Sequence, residues 1–460
     1  MVADMPPPSL PSPPLVSPLF GGLYAAAYGI GGQPLVRRLV QRVGPVVALP
    51  VLGYGRVVAV ADPTLAKQVF TASPDVLLGG EGVGPAAAIY GRRSMFVLDE
   101  PEHLRRRKLL TPPLHGDTLR GYVPTIETAT RAAMTSWASE SPVRTLEAGR
   151  ELTLEVIVQV IFGAHEAAEI QRLGSPFAEL LDLALSPETP IRYAARRLGA
   201  LRSWGTLANL NRRIDEVVLP LIARRRTATD RGHATDVLSM LVDARSEDGG
   251  QLSDKEIRDD AITLMLAGHE TTATTLAWLV DLLAHHPDVQ DRVRAEIGTG
   301  RTEYTEAVIN ETLRLHPPAP ITGRMTAEKY RLGDYTLAAG TRIVLLLDAI
   351  NRDPQTYRDP DAFDPERSPS ILSSSGLRST RLIERQAPTG AGRRRQAPAG
   401  TRFASGLPPR PGSARFEATR RTKLPCHAPS ERCCLRSARD SPRGLRLTSS
   451  RHLQHADRCD

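Results

Sequence analysis

The chain has 460 residues, enough for one large domain or two to three ordinary ones, and its formal net charge of +8 is unevenly placed. From Ser368 onward 18 Arg and one Lys face six Asp plus Glu, a surplus of 13, so the other 40 basic and 45 acidic residues leave 1–367 at −5. All four cysteines (Cys426, Cys433, Cys434 and Cys459) lie in that last segment, which excludes a disulfide scaffold or a thiolate nucleophile in the body and suits a reducing cytosol.

Residues 1–33 form a Pro-rich leader. No Lys or Arg precedes Arg37, so the basic start of a signal peptide is missing. The stretch LFGGLYAAAYGIGG is short and Gly-broken, whereas a membrane span needs about 20 strongly apolar residues. No membrane contact is expected. Residues 46–62 predict two short strands around Gly53-Tyr54-Gly55, and 64–72 a helix. The glycines of 79–84 predict a plain loop, because neither a Gly-Lys-Ser/Thr nor a completed G-x-G-x-x-G follows. Helical patterns fill roughly 100–300, broken near Ser141-Pro142, Ser186-Pro187 and Gly249-Gly250. A hairpin pattern returns at 330–350. The fold class is mainly α with a minor β-sheet.

Within the helical region, Glu102-His103-Leu104-Arg105-Arg106-Arg107-Lys108 opens a basic segment. His103 and Arg107, four apart, share a face that suits ligand carboxylates; a solvated basic surface is the plainer alternative. Ser253-Asp254-Lys255-Glu256 is a capping box ahead of an apolar run to His286, which Pro287 stops. The centre of this long helix is polar: Ala267-Gly268-His269-Glu270-Thr271-Thr272. Two tiny residues leave room beside the backbone, and an acid with a hydroxyl can position water and pass protons. The alternative is a Thr bonded back to the carbonyl four residues earlier beside a locally satisfied Glu. Zinc is excluded, since H-E-x-x-H needs His where Ala273 stands. Glu311 and Arg314 share a face of a shorter helix ending at His316-Pro317-Pro318. If buried, they need a further partner, and Arg367 is the candidate.

Residues 368–460 differ in kind. They contain no Val, Met, Tyr, Trp or Asn, and their apolar residues follow no helical or strand period. Disorder is expected for such a segment. Its scattered charges and two aromatics, Phe403 and Phe416, make no stacking platform, so no specific nucleic-acid partner is expected.

AGHETT, ETLR, FDPER and EHLRRRKLL, in this order and spacing, resemble the cytochrome P450 superfamily over roughly 34–367. The resemblance implies the cytochrome P450 fold and a haem cofactor. Glu270 and Thr271 would relay protons to the oxygen being reduced. Ala267 and Gly268 would leave room over the haem. His103, Arg107 and Arg324 would hold its propionates. Glu311, Arg314 and Arg367 would form a structural triad behind it. The reaction would insert one oxygen atom into a small apolar substrate, with NAD(P)H electrons delivered by ferredoxin and ferredoxin reductase, in the cytoplasm.

The family pattern then breaks. FDPER continues into Ser368 instead of Phe, and no Phe-x-x-Gly-x-Arg-x-Cys-x-Gly string follows. The nearest approach, at 389–398, keeps Gly392 and Arg394 but has Gln396 where the axial Cys belongs. No metal ligand is therefore assigned, and the fold is expected to be incomplete at its C-terminal end. Loss of one base turns a TTN Phe codon into a TCN Ser codon, so a reading-frame shift after Arg367 is expected, with impaired activity. The alternative is a haem-poor ligand-binding scaffold that retains the pocket.

Overall fold

The computed structural model describes residues 33–367 except 52–54, 138–141, 229–234 and, within 187–203, all but Glu188, Thr189, Arg192 and Ala195; outside that range it describes Pro13 alone. The leader and the Arg-rich segment of the sequence reading lie otherwise outside the described residues.

Helix α1 (Gln33–Val43) leads into strands β1 (Val46–Val51) and β2 (Gly55–Val60), paired antiparallel with Val46 opposite Val60. β3 (Leu77–Leu78), β4 (Ile321–Thr326) and β7 (Arg342–Leu346) complete a sheet of order β1-β2-β7-β4-β3, in which β2 and β7 run parallel. The strand period of two divides its residues between faces. Val46, Val58, Val60, Ile343 and Leu345 pack on one side with Ala66 and Val69 of α2 (Pro63–Thr71). Val47, Leu49, Ala59 and Leu346 pack on the other. The 330–350 pattern divides likewise: β5 (Tyr330–Leu332) and β6 (Tyr335–Leu337) form a separate hairpin, while β7 joins the main sheet.

The helical layer comprises α3 (Glu102–Leu110), α4 (Val123–Trp137), α5 (Thr145–Phe162), α6 (Ala167–Leu185), α7 (Gly205–Thr227), α8 (Val237–Asp243), α9 (Asp254–His285), α10 (Pro287–Ile297) and α11 (Glu303–Leu315). α9 has 32 residues, about 48 Å at 1.5 Å per residue. Its start is the predicted capping box, with the Ser253 N–H donating to Glu256 Oε2 at 2.7 Å and the Glu256 N–H returning to Ser253 Oγ at 3.4 Å. Such a cap stabilises a helix by about 1 kcal/mol. α9 packs along α5 over much of its length. Gly149 of α5 and Gly268 of α9 permit this approach: a Cβ would lie 3.2 Å from Ala273 O at the first and 2.7 Å from Ile157 Cδ1 at the second. α4 buries little besides Ala129 and leaves Val123, Ile126 and Met134 exposed.

The segment expected to be a plain loop at 79–84 is a short helix, Gly79–Gly82, followed by a 3-10 turn. Its first N–H groups are satisfied by one carboxylate: Gly80 N donates to Asp99 Oδ1 at 2.8 Å and Glu81 N to Oδ2 at 2.9 Å. The glycines serve close approach. A Cβ at Gly80 would lie 2.5 Å from Val97 O, and one at Gly82 2.5 Å from Arg324 Cα.

Candidate active site

The hexamer sits mid-helix in α9. His269 and Ala273 are buried, while Ala267 and Thr272 are exposed and Thr271 is half-buried. The His269 ring meets Thr153 Oγ1 of α5 through Nδ1 at 3.1 Å, and burial lowers its pKa. Room on the open side comes from Ala267, because the Cβ direction of Gly268 is taken up by Ile157.

Glu270 and Thr271 are adjacent; Thr271 has a local partner, and Glu270 has one on another helix. Thr271 Oγ1 donates to the Ala267 carbonyl at 2.6 Å. Glu270 receives Nε and Nη2 of Arg150, on α5, at 2.7 Å each. The back-bonded Thr is the arrangement that the sequence left open as an alternative, whereas Glu270 is held from α5 and not locally. Arg150 carries no motif, and its place one helix turn before Leu154 gave no signal; it is visible only once α5 lies on α9.

His103 and Arg107 share a side of α3, as four-residue spacing requires. The His103 ring meets Glu100 Oε1 through Nδ1 at 3.0 Å. Arg107 is half-buried, and no carboxylate among the described residues pairs with it. Arg324, on β4, spends one donor on its neighbour's carbonyl, Gly323 O, at 2.8 Å. Burial lowers its pKa, opposed only by the charge of Asp99. The structure links these groups in sequence: Gly82 packs on Arg324, the helix at 79–82 holds Asp99, and Glu100 follows to orient His103.

Arg106, the residue before Arg107, is 1% exposed. It pairs with Asp260 of α9 at 2.7 Å and with Glu256. The apolar reading of α9 missed this: Arg258, Asp259 and Asp260 are all buried. Three successive charges inside an apolar run were the available signal.

The third cluster is a set of charges in contact. Arg314 holds Glu311 through two bonds of 2.7 Å, and both are buried. The rest of the Arg314 fork donates to the carbonyls of Asn351, Pro360 and Ala362. Arg367 Nε reaches Glu311 Oε1 at 3.3 Å, and its other nitrogens bond the carbonyls of Arg358, Asp359 and Ala362. Beside this cluster, His316 stacks on Trp278 with centroids 3.7 Å apart.

The chain is similar to known proteins. The family model for cytochrome P450 matches residues 11–395. The protein named cytochrome P450 137 in Mycobacterium tuberculosis is 57% identical over 361 residues, covering 78% of this chain and 76% of its own. Cytochrome P450 138 of Mycobacterium bovis is 37% identical over 367 residues, covering 78% and 81%. The structure of retinoic-acid-bound cyanobacterial CYP120A1 is similar with a TM-score of 0.63 at 22% identity, over 78% of this chain and 82% of that one; this likeness concerns the fold. A family match across most of the chain, together with relatives this similar, makes the chain a member of the cytochrome P450 family of haem-dependent monooxygenases.

Proposed function

We propose that residues 34–367 are the body of a monooxygenase for a small apolar substrate, and that the chain as encoded is impaired because its axial-ligand segment is replaced after Arg367. The observation that carries this is the ion triad. Arg367 completes the contacts of Glu311, yet the next residue leaves the family pattern and the first Cys comes at 426. The uncovered apolar residues of α4 suit a body that lacks part of its packing.

The cofactor fits one half of its site. Arg324 and Arg107 are cations without carboxylate partners among the described residues, as two porphyrin propionates require. The other half does not fit, because residues 1–367 contain no Cys to serve as the thiolate that favours O–O cleavage. Haem, when bound with such a thiolate, supplies the oxygen chemistry. Ala267 leaves space on the open side of α9. Thr271 Oγ1, anchored on the Ala267 carbonyl, presents a hydroxyl there. Glu270 would take up and deliver protons at its carboxylate once it turned from Arg150. Electrons from NAD(P)H would arrive through a ferredoxin-type partner, in the cytoplasm.

The test is the spectrum of the reduced CO complex of the purified full chain. The red-shifted Soret band of an axial thiolate is expected to be absent. Its presence would mean that a cysteine beyond 425 reaches the iron, and would overturn the impairment. The DNA decides the cause: one alternative frame after codon 367 is expected to encode Gly-x-Arg-x-Cys-x-Gly. A second reading, a haem-poor scaffold for apolar ligands, draws on the pairing of a complete α9 with no thiolate in residues 1–367. Thermal stabilisation by apolar ligands without haem uptake would favour it.

A further inference from the structure

Exposed apolar side chains gather on α4. Val123, Ile126 and Met134 are 46%, 43% and 57% exposed. Single exposed apolar residues need no explanation, but three on one helix of 15 residues do. Ala129, on the other side, is the one buried residue of α4, which packs mainly on α5. Val123, Glu127, Arg131 and Met134 recur at spacings of four, four and three, so they share the outer side. Ile126, three residues after Val123, lies at its edge. Glu127 and Arg131 are exposed, and neither side chain has a hydrogen bond or ion pair among the described residues. The stripe is therefore apolar at both ends and carries one free charge of each sign at its centre.

That pattern is complementary to itself. When two copies of α4 lie antiparallel across a two-fold axis at residue 129, each Glu127 faces Arg131 of the other copy. Val123 of one copy then lies within about 1.5 Å, one residue's rise, of the level of Met134 of the other. A two-fold interface requires such a match, because one patch serves both copies. The rest of the chain offers no equal stripe: residues 368–460 contain no Val or Met, and their apolar residues follow no helical period. We propose that the outer side of α4 is a docking surface for a second copy of this chain, forming an antiparallel, two-fold homodimer. One helix side, about 22 Å long and 10 Å wide, supplies less than the roughly 800 Å² per partner of a standard interface. The dimer is therefore expected to be transient, with Kd on the order of micromolar. The pairing involves no haem, so it stands or falls apart from the CO spectrum.

Sedimentation velocity of the purified full chain, across a concentration series, is the test. A monomer–dimer equilibrium is expected. Glu127→Arg sets like charges against each other at both central contacts and should weaken dimerisation about tenfold or more. Arg131→Glu should do the same. An equimolar mixture of these two variants should dimerise about as tightly as the parent, because every central contact then joins opposite charges. Met134→Ala removes an apolar end contact and should weaken the parent dimer by about tenfold. The mixing experiment separates a specific pair from general stickiness, which no charge exchange would repair. A chain that stays monomeric throughout, charge variants that dimerise like the parent, or a mixture no tighter than its components each overturns the proposal. So does a monomer whose α4 crosslinks to residues 368–460, which would make the chain's own segment the occupant.

Discussion

Arg150 and Glu270 meet across the α5–α9 packing through two parallel hydrogen bonds of 2.7 Å. The carboxylate proposed to carry protons is thus parked on a fixed guanidinium, with Thr274 Oγ1 a more distant donor at 3.4 Å. Arg150 is the more exposed partner, and Glu270 the more enclosed.

Removing the guanidinium therefore strands an enclosed carboxylate. Arg150→Ala is expected to lower stability by about 1–3 kcal/mol, the cost of an unsatisfied charged group, as read by urea unfolding. Glu270→Gln in the same background should recover part of the loss, because a neutral amide is cheaper to leave unpaired. Independent, additive losses would show that the pair is not coupled.

The triad ranks its members by burial. Glu311 and Arg314 are buried, and each arginine donates to three carbonyls, so burial and not the bond count separates them. Arg314→Ala leaves Glu311 uncompensated and is expected to cost about 3–5 kcal/mol. Arg367 is more exposed and reaches Glu311 at 3.3 Å, so Arg367→Ala should cost only about 1–2 kcal/mol. Chevron or equilibrium unfolding of the full chain reads both, and a reversed order would refute the ranking.

The sequence made much of this legible because its signals were local. The capping box at Ser253, the stop at Pro287 and the i,i+3 pair Glu311–Arg314 each depend on a few adjacent residues, and each stands where expected. Arg367 was named as the partner of this pair, and it meets the carboxylate of Glu311; the spare donors of Arg314 are taken by backbone carbonyls, which the sequence did not show. What escaped depends on which elements touch. Arg150 acts on α9 from another helix. Asp259 and Asp260 look like ordinary helix charges until segment 91–97 is laid on them. The glycines at 79–82 suggested a loop by composition, yet they make a short helix because β4 and the 97–98 backbone leave no room for side chains.

The carboxylate cradle can be tested without iron. Protoporphyrin IX is expected to bind the full chain more tightly than its dimethyl ester, which lacks the charges that Arg324 and Arg107 would meet. Each charge-assisted contact is worth about 1.5–3 kcal/mol, roughly a tenfold to hundredfold change in Kd. Arg324→Ala and Arg107→Ala should each weaken the acid by such a factor while leaving the ester nearly unchanged. Fluorescence quenching measures both. Equal loss for acid and ester would mean that the arginines only support the fold.

A buried and a half-buried group, Asp260 and His316, give stability opposite dependences on pH. Burial raises Asp260 to about 6 despite Arg106, against about 3.9 unfolded. Between roughly pH 4 and 6 the folded chain therefore holds a proton that the unfolded chain releases, so this term strengthens as pH falls through that window and is lost as pH rises. His316 is the reverse. Burial, with the charges of Arg352, Arg314 and Arg37, lowers it to about 3, against about 6.5 unfolded. The unfolded chain takes the proton first, so this term weakens as pH falls from about 6.5 towards 3. His316→Phe preserves an aromatic ring to stack on Trp278 and should gain stability relative to the parent as pH drops below about 6.5. Asp260→Asn should lose stability relative to the parent between about pH 6 and 4. Urea midpoints across pH 4–7 separate the two, and parallel curves for parent and variant would show that the altered residue does not titrate as its surroundings require.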